Sequence, residues 1–401
     1  MDVSRRSLVR GAASFAFAGL SHAGAASGQL AYAGSYSSPQ GPEGSKGYGR
    51  GIYLLEMDPQ SGGLKQREVF EDASNPSWLA LHPSRRFLYA ANETATYEGK
   101  PSGSVSAFAV EAASGRLKLL NTVSSGGAGP AHLSVHPGGK FVLVANYAGG
   151  TLAVLPIAPG GELGPATDVI HDQGTPGGAH ASSAPPGSFA ISGHDHPHAH
   201  MIQADPSGRF VLSTDLALDK VYIWKFDPGT GKLRPNDPAA ASLPAGDGPR
   251  HFAFHPSGRW VYLLGEESST ILTFDYDAQE GRLALKQTLS TLPKGFAGTN
   301  FTSEVVVSAD GRFVYAANRL HDSIARFTAG KDGSLTYGGE TWTRGDYPRS
   351  FTIDPSGTFL YTCNQRSDAI AAFRIDRSSG DLTFTGQYTA IGTPAILVFL
   401  S

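Results

Sequence analysis

The chain has one cysteine, Cys363, among 401 residues, so no internal disulfide can form and the fold must hold by packing alone. Charge is scarce as well. Only 17% of residues are Asp, Glu, Lys or Arg, and the formal net charge is −3. That balance offers no basic face to a nucleic acid. No apolar run reaches the length of a membrane span, so membrane insertion is not expected. Helical segments between the strand-like stretches are missing, and so is any Gly-x-Ser-x-Gly elbow that would mark an acyl-enzyme hydrolase. Glycine and proline are plentiful instead, 50 and 26 residues, as a fold with many tight turns requires.

A short phrase recurs seven times. It reads GIYLLEMDPQSGGL from Gly51, SVSAFAVEAASGRL from Ser104, TLAVLPIAPGGEL from Thr151 and KVYIWKFDPGTGKL from Lys220. It continues as TILTFDYDAQEGRL from Thr270, SIARFTAGKDGSL from Ser323 and AIAAFRIDRSSGDL from Ala369. Each copy is an alternating apolar strand, a Gly/Asp/Pro/Ser turn and a new run opening on Leu. The start-to-start spacings are 53, 47, 69, 50, 53 and 46 residues. A period near 50 built only from short strands predicts an all-β, seven-bladed β-propeller with four-stranded antiparallel blades.

A second phrase precedes six of the copies, from His82, His136, Asp205, His255, Ser308 and Asp354. Each is a tight Pro/Gly turn running into a β-branched and aromatic strand, as in HPSRRFLYAANE. The seventh is missing because the first unit starts at LAYAGSYS from Leu30. The final strand, GTPAILVFLS from Gly392, is expected to complete the first blade and close the ring.

The N-terminus pairs Arg5 and Arg6 with a modest apolar stretch and a small-residue site at Ala23-Gly24-Ala25. These features predict a twin-arginine (Tat) export leader over residues 1–25, recognised by the Tat export machinery, and a single propeller domain over 26–401. A periplasmic location follows, and a chain without disulfides suits export in the folded state.

In such blades the A–B and C–D turns share one face of the disc, and the B–C and D–A loops share the other. The short, uniform HPSG and DPxxG turns fall on the first face. The long loops fall on the second: the stretch from Ser37, the stretch from Thr94, and the insertion between Leu163 and His200. Function is expected where loops vary over a regular scaffold. Polar residues at the entry to the A strands join that face: Ser77, His132, His200, His251, Glu304 and Ser350, with Arg250 and Arg349 beside two of them. The B-strand ends add Glu93, Asn146, Tyr147, Glu266 and Arg319. Together they predict a central polar funnel for a small anionic or oxygen-rich ligand. His132, His198, His251, Glu93, Asn146, Glu304 and Arg349 are the candidate ligand-binding residues. The turn histidines His82, His136 and His255 are expected to be structural. The tract His194-Asp195-His196-Pro197-His198-Ala199-His200 has metal-like spacing but sits in a Gly/Ser/Pro-rich insertion, so no metal site and no cofactor are assigned.

At these residues the chain resembles the lactonase family of seven-bladed propellers, which includes the bacterial propeller-type 6-phosphogluconolactonase and the fungal 3-carboxy-cis,cis-muconate cyclase. The resemblance covers the whole mature chain. Its most specific pieces are NPSWLALHP with ANE, GPAH with ANY, HAH with DLALD, GPRHFAFHP with EESST, and ANR with DSI. It implies catalytic roles for His200 (or His198), Arg250, Glu266 and Arg319. The sequence GEE leaves open whether Glu266 or Glu267 faces inward. The expected reaction is hydrolysis of a sugar-type lactone by direct water attack, with Glu266 or His200 as base and the arginines holding negative charge. Two alternatives share the scaffold: a muconate-type lactonising cyclase, and a non-catalytic binding module. Export favours an unphosphorylated aldonolactone over a cytosolic sugar phosphate.

Overall fold

The computed structural model describes residues 28–37, 46–178 and 180–400. The expected leader over 1–25 lies outside them, as does most of the loop that follows Ser37. The described residues form seven four-stranded antiparallel sheets, and each sheet pairs its strands in A-B-C-D order. In the first blade the A strand is Pro394–Leu400, paired with the B strand Gln29–Ser35 in register from Leu30↔Leu400 to Gly34↔Ile396. The C-terminal strand therefore closes the ring, as expected. Among the described residues there is no α-helix, and no helix is long and apolar enough to cross a membrane.

The recurring glycine of each C–D turn has a specific cause. Gly333 turns with φ +82°, and a Cβ there would lie 2.3 Å from the ring of Trp260 in the preceding blade. Gly62, Gly161, Gly281 and Gly380 face Phe359, Phe87, Phe210 and Phe313 in the same way. Only glycine permits both the left-handed turn and this close approach. The approach also delivers a carbonyl: Tyr361 Oη donates to Gly62 O at 2.9 Å, and Tyr315 Oη to Gly380 O at 2.8 Å. Tyr32, Tyr89 and Tyr262 repeat the bond to Gly115, Gly161 and Gly333. Blades are thus latched edge to edge, and aromatic and aliphatic clusters fill the space between neighbouring sheets.

The long insertion is partly strand. Asp168–His171 forms the D strand of the third blade, so the true D–A connection is the segment from Asp172 to the A strand Ala199–Ala204. It crosses the loop face towards the fifth and sixth blades. Ser183 Oγ donates to Asp247 at 3.1 Å, and Phe189 N donates to Thr299 Oγ1 at 3.1 Å.

Candidate functional site

All seven A strands have a register irregularity against their B strands close to the loop face, as at Pro249/Phe252 and Pro130/His132. An extra residue there re-aims the side chains around it. This separates two sets of residues that the sequence pattern had merged. The second residues of the A strands, including Ala131, His200 and Arg349, line a cavity of about 570 Å³ on the loop face. That size suits a small ligand. The third residues lie deeper. Trp78, His132 and His251 pack ring to ring with centroids 4.7–5.5 Å apart, and His251 Nδ1 meets Glu304 Oε2 at 3.1 Å. His132, His251 and Glu304, expected at the ligand, are instead buried against one another and do not line the cavity.

The second contribution comes from the residue immediately after each B strand. Glu93, Tyr147, Glu266 and Arg319 occupy that place, and all four line the cavity. The preceding residue does a different job. Asn146 Nδ2 donates to Ser125 O and Thr151 Oγ1, and Asn318 Nδ2 donates to Thr291 O. Asn146 is thus a buried brace, contrary to expectation: its Nδ2 is taken up by Ser125 O and Thr151 Oγ1, and it does not line the cavity.

Glu266 is the centre of charge. Its Oε2 lies 2.8 Å from Arg250 Nε and its Oε1 lies 2.6 Å from Arg319 Nη2. Arg250 and Arg319 are the two largest fully buried side chains, each 1% exposed. Burial alone would raise the Glu266 carboxyl, but Arg319 and Arg250 outweigh it and hold the group below its ordinary range. Burial, with Arg319 and Arg349 nearby, brings Arg250 down to about 10, so it stays charged at neutral pH. Arg250 also donates to Ser303 O, which fixes its plane. Arg319 lies between the rings of Phe301 and Tyr347, 5.1 and 5.3 Å from their centroids, and donates to Tyr347 Oη at 3.3 Å. Across the cavity, Tyr36 Oη donates to Glu93 Oε2 at 2.8 Å, and Arg349 Nη2 lies 3.9 Å from the same oxygen.

His200 borders this charged group. Burial, then Arg250, His251, Arg349 and Arg319, keeps its imidazole neutral, well below the usual histidine range. Its Nδ1 is buried without a hydrogen-bond partner. His198 points elsewhere: it stacks on Tyr147 at 4.3 Å, and its two nitrogens face Tyr147 O and Asp195 Oδ1. His200 is therefore the histidine in the pocket, and His198 is not at the ligand.

The two adjacent glutamates diverge. Glu267 turns to the insertion, where its Oε1 accepts from both the backbone and the hydroxyl of Ser192, and its Oε2 meets His194 Nε2 at 2.7 Å. This anchors Ile191 and Ser192 as one wall of the cavity.

A family model described as "Lactonase, 7-bladed beta-propeller" matches residues 30–399. The chain belongs to this lactonase family. It is 31% identical over 373 residues to the 6-phosphogluconolactonase of Bacillus subtilis (strain 168), covering 92% of this chain and 98% of that protein. A 6-phosphogluconolactonase of Formosa agariphila is 29% identical over 356 residues, covering 88% of this chain and 96% of that protein. The solved structure of a periplasmic gluconolactonase from Pseudomonas aeruginosa superposes with a TM-score of 0.83 at 30% identity, covering 93% of this chain and 99% of that one. The protein is accordingly a lactonase.

Several lining residues of this lactonase were missed from sequence. Ile191 and Ser192 lie in a segment without a repeat, so no alignment of blades could place them. Tyr347 and Arg366 sit in the sixth-to-seventh blade connection and in a short 3-10 turn after a B strand, with the Arg366 guanidinium 3.7 Å above the Tyr347 ring. Tyr347 carries a signal visible only in three dimensions, a left-handed φ of +63° in a buried aromatic residue.

Proposed function

We propose that the enzyme hydrolyses an unphosphorylated, hydroxyl-rich sugar lactone outside the cytoplasm, with His200, Arg250, Glu266 and Arg319 as its working group. The observation that carries this reading is the set Glu266, Arg319 and a neutral His200 in one cavity, with Arg250 bracketing Glu266 from behind. Water attacks the lactone carbonyl carbon while His200 accepts its proton. Charge that develops on the carbonyl oxygen is met by arginine N–H groups, already fixed in place by Glu266. The ring C–O bond then breaks, and the proton returns from His200 to the departing ring oxygen, giving the open hydroxy acid. Glu266 sets the arginines, because both of its oxygens are already engaged by their guanidiniums, whereas His200 Nδ1 has no partner.

The substrate assignment rests on charge. Buried Arg250 and Arg319 already face Glu266, and the partly buried Arg349 lies near Glu93, which suits hydroxyl groups better than a dianionic phosphate. The twin-arginine sequence supports export by the Tat route to the periplasm. The periplasmic gluconolactonase among its structural relatives points the same way. Comparing kcat/KM for gluconolactone and its 6-phosphate on purified protein tests the reading. A higher value for the unphosphorylated lactone is expected, and a clear preference for the phosphate would sink the assignment.

A further inference from the structure

We infer that Asp195, His196 and His198 form a binding site for a zinc-type divalent cation at the rim of the lactonase pocket. Their ligand atoms all lie within 4.8 Å of one another. His198 Nε2 and His196 Nδ1 each lie 2.8 Å from one oxygen of the Asp195 carboxylate.

Proton bookkeeping makes this cluster unusual. The other nitrogen of each ring faces a backbone carbonyl: His198 Nδ1 lies 3.0 Å from Tyr147 O, and His196 Nε2 lies 3.0 Å from Ala148 O. A carbonyl only accepts, so those nitrogens carry the protons. In the neutral rings the nitrogens facing Asp195 then hold lone pairs, and three acceptors converge on one point. A single divalent cation placed among them would bond to all three ligands, whose atoms lie within 4.8 Å of one another.

The donor set fits. Two imidazoles and a carboxylate suit zinc and its neighbours, and a backbone carbonyl on the far nitrogen of each ring is the usual way to fix the ligating tautomer. Asp195 is exposed, leaving an approach from solvent and room for water ligands. The site joins the insertion to the loop after the third B strand. Tyr147, on which His198 stacks, lines the pocket, and Ile191 and Ser192 of the same insertion form its wall. The cation therefore pins a pocket wall and need not touch the lactone.

Titration of the full chain with Zn²⁺ by calorimetry, and with Co²⁺ by visible absorption, tests the inference. One equivalent per chain, a ligand-field band with Co²⁺ and a higher Tm with Zn²⁺ are expected. In the double variant Asp195→Ala/His196→Ala, whose two side chains are not buried, affinity should fall by about 10- to 100-fold or more. The conservative Asp195→Asn should weaken binding in the same direction without loss of fold. No stoichiometric uptake of either metal by the parent chain, or undiminished uptake by the double variant, would overturn it. So would imidazole NMR signals showing both rings doubly protonated at neutral pH and unmoved by Zn²⁺.

Discussion

The two faces of the disc are built from the same repeats and do opposite things. On the turn face each repeat bonds to its neighbour in nearly the same way. His82, His136 and His255 each set Nε2 against the carbonyl of Gly139, Gly208 or Gly311 in the following blade, at 2.8–3.0 Å. Where Asp205 or Asp354 replaces histidine, the carboxylate caps its own turn by accepting backbone N–H groups of Phe210 or Phe359. On the loop face the equivalent positions differ from blade to blade: alanine at 131, histidine at 200, arginine at 250 and 349. Uniform bonds make a rigid ring, and the ring allows unlike groups to converge at its other end. Two buried arginines are tolerable only where the scaffold holds a carboxylate between them.

The sharpest way to break this contrast is at Glu266. Glu266→Gln should cost about 100- to 1000-fold in kcat on the preferred lactone, because two arginines lose the charge that orients them, and Arg319→Ala should do the same. Steady-state kinetics on folded variants measures it. If both variants keep full activity, the site lies elsewhere.

Glu304 tests the layer beneath the pocket. Burial, against a smaller opposing effect of Arg250, raises its carboxyl to about 8, so it is protonated in the folded state near neutrality. The folded state then holds a proton that the unfolded chain gives up in the ordinary carboxylate range. Stability should therefore fall as pH rises from that range through about 8, by a linked loss on the order of 5 kcal/mol. Denaturation across that pH window should show the slope in the parent chain and a flatter one in Glu304→Gln.

On the turn face the effects should be on stability alone. Gly380→Ala forces a Cβ to 2.5 Å from Phe313 at φ +76°, and should destabilise by roughly 1–3 kcal/mol. Tyr361→Phe removes one of the bonds that join last blade to first, the one to Gly62 O, and should cost about 1 kcal/mol. Urea unfolding measures both, and kcat should be unchanged in each. A drop in kcat would mean that the two faces are coupled.

The architecture was open to view in the sequence because propeller blades repeat, and repetition exposes strand, turn and face at once. The same comparison brought His200, Arg250, Glu266, Arg319, Glu93 and Arg349 to one end of the disc. It misplaced His132, His251 and Glu304 because the A-strand bulges shift the register by one residue, and one residue decides whether a side chain lines the cavity or lies under it. His198 misled for a related reason: it belongs to the loop before the strand, where alternation gives no direction. Asn146 looked like a site residue because polar strand ends on that face include both braces and ligands.

By itself the sequence determined the number of blades, the closure of the ring and the face on which the polar residues converge at a cavity, since all three follow from a period that local strand and turn propensities enforce. Only the tertiary structure decided which of two adjacent glutamates serves the pocket, which histidine of the tract enters it and what the insertion covers. Those choices depend on bulges and on contacts between segments far apart in the chain, and no local pattern encodes them.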